Sequence, residues 1–159
     1  MSRDLSKADQ FLAQVIRETI LQAKQNLLLD VFVVDVDRDY KIQRAYYAQG
    51  RENTDSVNAL RKMVNLPSIT EKQNVKITWT MNSKHITNLD DNNKGNDLSR
   101  AVDIGLKDKN NRYIGNSDID MNGDEIKDYE QVGLLAEKIG QGKIKWGGRF
   151  KDPAHIELV

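Results

Sequence analysis

Trp146-Gly147-Gly148-Arg149-Phe150-Lys151-Asp152-Pro153-Ala154-His155-Ile156-Glu157-Leu158 places an acid three positions before one of only two histidines in the chain. The other, His85, lies in Asn82-Ser83-Lys84-His85. A zinc site that does chemistry needs two or three nitrogen or carboxylate ligands, a coordination position left for water, and a nearby base to take that water's proton. The chain has no cysteine, so His85, His155 and one carboxylate are the economical way to build such a site. Asp103, in Ser99-Arg100-Ala101-Val102-Asp103-Ile104, is the candidate carboxylate.

A chain of 159 residues, 38% of them hydrophobic, is long enough for one domain with a proper core and short for two. One domain over residues 1–159 is therefore expected. The 24 Lys and Arg residues balance the 24 Asp and Glu residues, so no global field draws the protein to nucleic acid or to an anionic membrane. No run approaches the roughly 18 apolar residues needed to span a bilayer, and Met1-Ser2-Arg3-Asp4-Leu5-Ser6 lacks the apolar core of a secretory signal. Synthesis as a soluble cytosolic protein without membrane insertion, and as a monomer, is the expectation. The absence of cysteine excludes disulfides and any dependence on redox compartment.

Ser6 can cap a helix whose apolar positions Phe11, Val15, Ile16, Ile20, Ala23 and Leu27 recur at three- and four-residue intervals. Val31-Phe32-Val33-Val34 reads as a buried strand that delivers Asp35, Asp37 and Arg38 to its far end. Residues 39–49 read as a short helix, and residues 56–64 as another helix turn or two before Pro67. Val75-Lys76-Ile77-Thr78-Trp79-Thr80 alternates as a strand does and would hold His85 at its exit. Residues 86–98 are polar and turn-forming, and read as a surface loop inserted between two ligands. Such a loop is tolerable because closure cost grows only logarithmically with length. Ala101-Val102-Asp103-Ile104 suits a strand whose alternate face carries the ligand.

Asp118-x-Asp120-x-Asn122-Gly123 matches the first half of a calcium loop, with oxygens at alternate positions and a glycine for the sharp turn. The second half departs from that pattern: Tyr129 stands where the closing Glu belongs, flanked by Asp128 and Glu130, and Ile126 falls one place late. The stretch is either a calcium site or a solvated acidic turn. It leads into a helix with Tyr129, Val132, Leu135, Ala136 and Ile139 on one face and Gly140 at its end. Ile144 to Gly148 then leads into a strand carrying Asp152 and His155, with Trp146 either a cleft wall or core. The order of elements predicts an α+β fold, a small antiparallel sheet with helices packed on it.

Ser83-x-His85, Ala101-x-Asp103 and Trp146-Gly147-Gly148-x-Phe150-x-Asp152-Pro153-x-His155 together resemble the zinc peptidases that include D-alanyl-D-alanine carboxypeptidases and the L-alanyl-D-glutamate peptidases of phage endolysins. That family usually reads Ser-x-His-x-x-Gly-x-Ala-x-Asp. This chain has about eleven more residues between His85 and Asp103 than that pattern, and Ser99 stands where the family has Gly. Arg38-x-x-x-x-Gln43-x-x-x-Tyr47-Ala48-Gln49-Gly50-Arg51 resembles the family segment in which an arginine meets the substrate and a Gln-containing helix packs behind it. The Asp-Pro-x-His form, in place of Glu-x-x-His, looks most like the small endolysins.

The resemblance implies a hedgehog/DD-peptidase-like fold with Zn²⁺ on His85, Asp103 and His155 and water as its fourth ligand. It implies Asp152 as the base, Arg38 as partner of the oxyanion or of a substrate carboxylate, substrate contacts from Ser83, Gln43 and Trp146, and Glu157 hydrogen-bonded behind a ligand. The implied protein is a phage endolysin, made in the host cytoplasm and acting on the stem peptides of periplasmic peptidoglycan after membrane disruption. The implied bond is L-alanyl-D-glutamate. The alternatives are a D-alanyl-D-alanine carboxypeptidase or dipeptidase, and a non-catalytic metal-binding domain of the same fold; the insertion and Ser99 favour the latter, Asp152 opposes it.

Overall fold

The computed structural model describes residues 2–88 and 98–159, and its fold is mixed helix and sheet, as the sequence predicts. In chain order the elements are α1 (Gln10–Gln22), β1 (Asp30–Asp35), β2 (Arg38–Asp39), α2 (Tyr40–Ala48), α3 (Thr54–Met63) and β3 (Ile86–Asn88). They continue as β4 (Ala101–Lys107), β5 (Tyr113–Ile114), α4 (Asp128–Gly140), β6 (Ile144–Trp146) and β7 (His155–Leu158). The chain divides into two compact units, Met1–Asp37 with Leu98–Val159, and Arg38–Asp97. No helix among the described residues is long and apolar enough to cross a membrane.

The first unit holds the antiparallel sheet, in strand order β1-β4-β7-β6 with β5 paired to the far end of β4. Val102, Ile104 and Leu106 of β4 are fully buried and share one core with Leu12 and Ile16 of α1, Val132 and Ala136 of α4, and Ile156 of β7. Burying each of the Val, Leu and Ile side chains is worth about 1.5–3 kcal/mol. Because side chains alternate along a strand, packing the even positions of β4 on the helices turns Asp103 to the opposite face. On β7 the same alternation puts Ile156 on the core and His155 on the Asp103 face. In β1, Val31 and Val33 sit across from Leu106 and Ile104, and a bulge between Val33 and Asp35 brings Asp35 opposite Asp103.

Helix α1 starts later than predicted. Asp9, not Ser6, caps it, accepting the N–H groups of Phe11 (2.9 Å) and Leu12 (3.3 Å). Ser6 lies in a separate 3₁₀ turn, where Ala8 N–H returns to Leu5 O at 3.2 Å and stops the helical path. After α1 the chain makes one wide turn, Ala23–Leu27, closed by Leu28 in the left-handed conformation (φ 59°).

In the second unit β2 and β3 pair in parallel, and α2 begins where Asp39 accepts the Lys41 N–H at 2.7 Å. Helix α3 is longer than the turn or two predicted, because Asn53 caps it by accepting from Ser56 N–H at 2.8 Å. Residues 75–80 are not a strand, contrary to their alternation. Their carbonyls are claimed by side chains: Gln43 donates to Thr80 O (2.6 Å) and Arg51 to Thr78 O (3.0 Å). The apolar half of the pattern is left outside, with Trp79 78% exposed. Residues 86–88, expected in the inserted loop, form β3; the remainder of that loop, residues 89–97, lies outside the described residues.

Candidate metal centre

The antiparallel register pairs Asp103 directly with His155, and opposed residues on neighbouring strands share a face. Their side chains meet with His155 Nδ1 3.0 Å from Asp103 Oδ1. The other ring nitrogen, Nε2, lies 3.1 Å from Glu157 Oε2, two residues on along the same face of β7. Burial works against a charged imidazole here, yet the hydrogen bonds to Asp103 and Glu157, with the charges of Asp103 and Asp152 behind them, raise the His155 pKa to about 9. The site is thus strongly anionic around one histidine, an environment that favours a cation.

Asp152 is exposed and lies in a turn rather than on the strand the sequence predicts for it. After β6 the chain makes a 3₁₀ turn, Gly147–Phe150, and reverses at Lys151 (φ 68°). Asp152 N–H then donates to Gly147 O at 2.9 Å, and His155 N–H to Asp152 O at 3.1 Å. This nested turn brings Asp152 beside His155. Gly147 is indispensable to it, since a Cβ there would stand 2.3 Å from Asp152 O and 2.7 Å from His155 Cβ. The backbone oxygen cannot swing aside as a flexible side chain would. Gly147→Ala is therefore expected to destabilise the chain by about 1–3 kcal/mol, the range for overpacking, and to weaken metal binding in the fraction that folds. Thermal unfolding and metal titration of the variant check both.

Trp146 serves as core and as wall. Its backbone N–H donates to Glu137 Oε1 (2.9 Å) and its indole N–H to Pro153 O (2.8 Å). Its ring fills the space over Gly133 and Gly148, where any Cβ would collide with it. It also lines a cavity of about 300 Å³ with Gly148, Lys151 and Pro153, the last two flanking Asp152 in sequence.

In the second unit His85 is buried (2% exposed) and occupies the turn before β3, at a strand's entrance rather than its predicted exit. Its carbonyl accepts the Arg38 N–H at 2.9 Å, and its N–H donates to Ser83 Oγ at 3.3 Å, which makes Ser83 part of the turn that holds the histidine. The Arg38 guanidinium donates to Gln43 Oε1 at 2.8 Å and lies over the Tyr46 ring, 5.2 Å from its centroid. Gln43 is not placed to touch a substrate. It is 0% exposed, with its amide engaged by Arg38, Thr78 and Thr80, so its work is to fix Arg38.

His85, Asp103 and His155 form a group that could bind a metal ion. No protein-family model matches the chain, and no curated protein matches it.

Asp35, which the first strand delivers to its far end, is 1% exposed and in register with Asp103. Its neighbour Asp37 pairs with Lys7 at 3.3 Å. Of the three residues aligned with a calcium loop, Asp118 is turned to Lys127 at 2.5 Å, whereas Asp120 and Asn122 fold into the loop itself.

Proposed function

We propose that the chain is a zinc-dependent peptidoglycan peptidase that hydrolyses the L-alanyl-D-glutamate bond of the stem peptide, in the manner of the small phage endolysins it resembles. The observation that carries this reading is the His85, Asp103 and His155 group, with Asp152 three residues before His155. Two imidazoles and a carboxylate are a donor set that zinc takes in hydrolytic sites. When bound, zinc supplies a Lewis acid and lowers the pKa of its water to about 7.

The protein's own residues do the rest. With Glu157 accepting a proton-bearing Nε2, His155 would hold the metal through its other ring nitrogen. Asp152 takes the proton of the attacking water and hands it to the leaving amine. Arg38, held by Gln43, shares the charge of the tetrahedral oxyanion through a permanently charged, forked donor. The cavity beside Trp146 receives part of the peptide. The protein would act on periplasmic peptidoglycan once the host membrane is breached.

The test is mass spectrometry of muropeptides digested by the zinc-loaded protein, with and without chelator. The expected products are glycan fragments ending in L-alanine and free peptides beginning with D-glutamate, both abolished by chelation. Loss of the terminal D-alanine instead would reassign the chain as a carboxypeptidase. Unchanged muropeptides would leave only a metal-binding domain.

A further inference from the structure

The sheet face that carries Asp103 and His155 continues beyond them. Side chains on a strand share a face at every second residue, so Gly105 and Lys107 follow Asp103 on the side of β4 turned away from the helices. On β1, Phe32 stands opposite Gly105 and Asp30 opposite Lys107. On the other edge of β4, Tyr113 of β5 also stands opposite Lys107. Gly105 contributes no side chain, and the Phe32 and Tyr113 rings close over it: a Cβ there would stand 2.8 Å from Phe32 Cζ and 2.9 Å from Tyr113 Cε2. The two rings meet edge to face, with centroids 5.9 Å apart. Tyr113 is 58% exposed, so this aromatic platform is open to solvent.

Two cations gather on it. Arg3 Cζ lies 5.6 Å and Lys107 Nζ 5.1 Å from the centre of the Phe32 ring, inside the distance of about 6 Å over which a ring face attracts a cation. Neither forms an ion pair among the described residues, and Asp30, although opposite Lys107, forms none either. The other end of the same face is acidic, with Asp103 and Glu157 on either side of the His155 ring. Charge therefore changes sign along the face, from negative at His155 to positive over Phe32. Gly105 is two residues past Asp103, roughly 7 Å along a strand. A bound peptide in extended form covers about 3.3–3.6 Å per residue, so the cations stand about two residues from Asp103.

We propose that Arg3 and Lys107, held over Phe32, bind a carboxylate of the leaving peptide and so select acidic stem peptides. The identity of this ligand rests on the peptidase reading. In a stem peptide the L-alanine side is tied to the glycan through an amide, and free carboxylates lie beyond the cut bond, on the side that begins with D-glutamate. A guanidinium and an ammonium are the donors that a carboxylate takes in charge-assisted hydrogen bonds. Their contacts with the ring hold both cations in place before the peptide arrives, so little side-chain freedom is lost on binding. The change of sign along the face gives the peptide one direction, its acidic end away from Asp103 and Glu157.

The test is calorimetric binding to the full, zinc-loaded chain of the peptide that begins with D-glutamate, which the proposed reaction releases and cannot cut again, beside the same peptide with its carboxylates amidated. Wild type should bind the free acid more tightly by about fivefold or more, the upper range for exposed ion pairs, and the difference should shrink as salt is raised. Arg3→Gln and Lys107→Gln should each weaken the free acid and leave the amide unchanged, with unfolding temperature and zinc stoichiometry as in wild type; Lys107→Arg should keep the preference. In turnover of the intact stem peptide the two Gln variants should raise KM and retain kcat. The subsite is overturned if wild type binds acid and amide alike, if it binds neither, or if both Gln variants keep the wild-type preference. It is also overturned if a Gln variant loses acid and amide together as its unfolding temperature falls, since the cation would then only brace the Phe32 ring. A preference that Arg3 and Lys107 carry, in a chain that cuts no stem peptide, keeps the subsite and removes the peptidase. Cutting of free-acid and amidated stem peptides at equal kcat/KM, unmoved by either variant, keeps the peptidase and removes the subsite.

Discussion

Asp152→Ala should retain zinc at the wild-type stoichiometry while turning over stem peptide roughly 10²–10⁴-fold more slowly, the loss expected of a general base. The two effects are separable because main-chain bonds carry the turn. Asp152 holds its place through main-chain bonds, N–H to Gly147 O and carbonyl to His155 N–H, and alanine keeps both. Its side chain is exposed, and surface truncations away from special features usually change stability by less than about 0.5 kcal/mol. Elemental analysis together with kcat on a defined muropeptide reads the two effects independently. Full activity in the variant would remove Asp152 from the mechanism.

His155→Ala should do the reverse and lose the metal itself, with activity falling to background. The imidazole engages two carboxylates, Asp103 and Glu157. Removing it deletes a ligand and leaves two like charges without the ring between them. Loss of an outer hydrogen-bond partner of a metal ligand typically costs 10–100-fold in affinity, and loss of the ligand should exceed that range. Glu157→Gln is the natural comparator: it should still bind zinc, within about 10–100-fold of wild type. A His155→Ala chain carrying stoichiometric metal would sink the assignment of the centre.

What could be read from the sequence was whatever local periodicity governs. Helix α4 and the strand Asp30–Asp35 follow from their spacing and β-branched content, because in both a regular apolar stripe meets the same core. Asp103 could be placed on a strand face by alternation alone. The failures occur where a distant side chain decides the outcome. Residues 75–80 carry a strand's alternation, but Gln43 and Arg51 take the carbonyls that a neighbouring strand would have used. Ser6 and Asp9 are both good caps, and what selects Asp9 is the break at Ala8, which bridges to Ser99, 91 residues away. Asp118 fits its motif by spacing and is drawn off by Lys127. Gln43 has a substrate-binding type of side chain, yet only the packing shows it buried behind Arg38.

The direct opposition of Asp103 and His155 across two strands fixes where this protein can absorb changes in length. A pleated strand reverses its side chains at every step, so adding or deleting one residue between Ala101 and Asp103 would point the carboxylate into the apolar interior. Ser99 already anchors that strand from outside the count, its hydroxyl 2.7 Å from the carbonyls of Val36 and Ala101. A change of length outside this clamp therefore leaves Asp103 and His155 in register, whereas one within the pair breaks it.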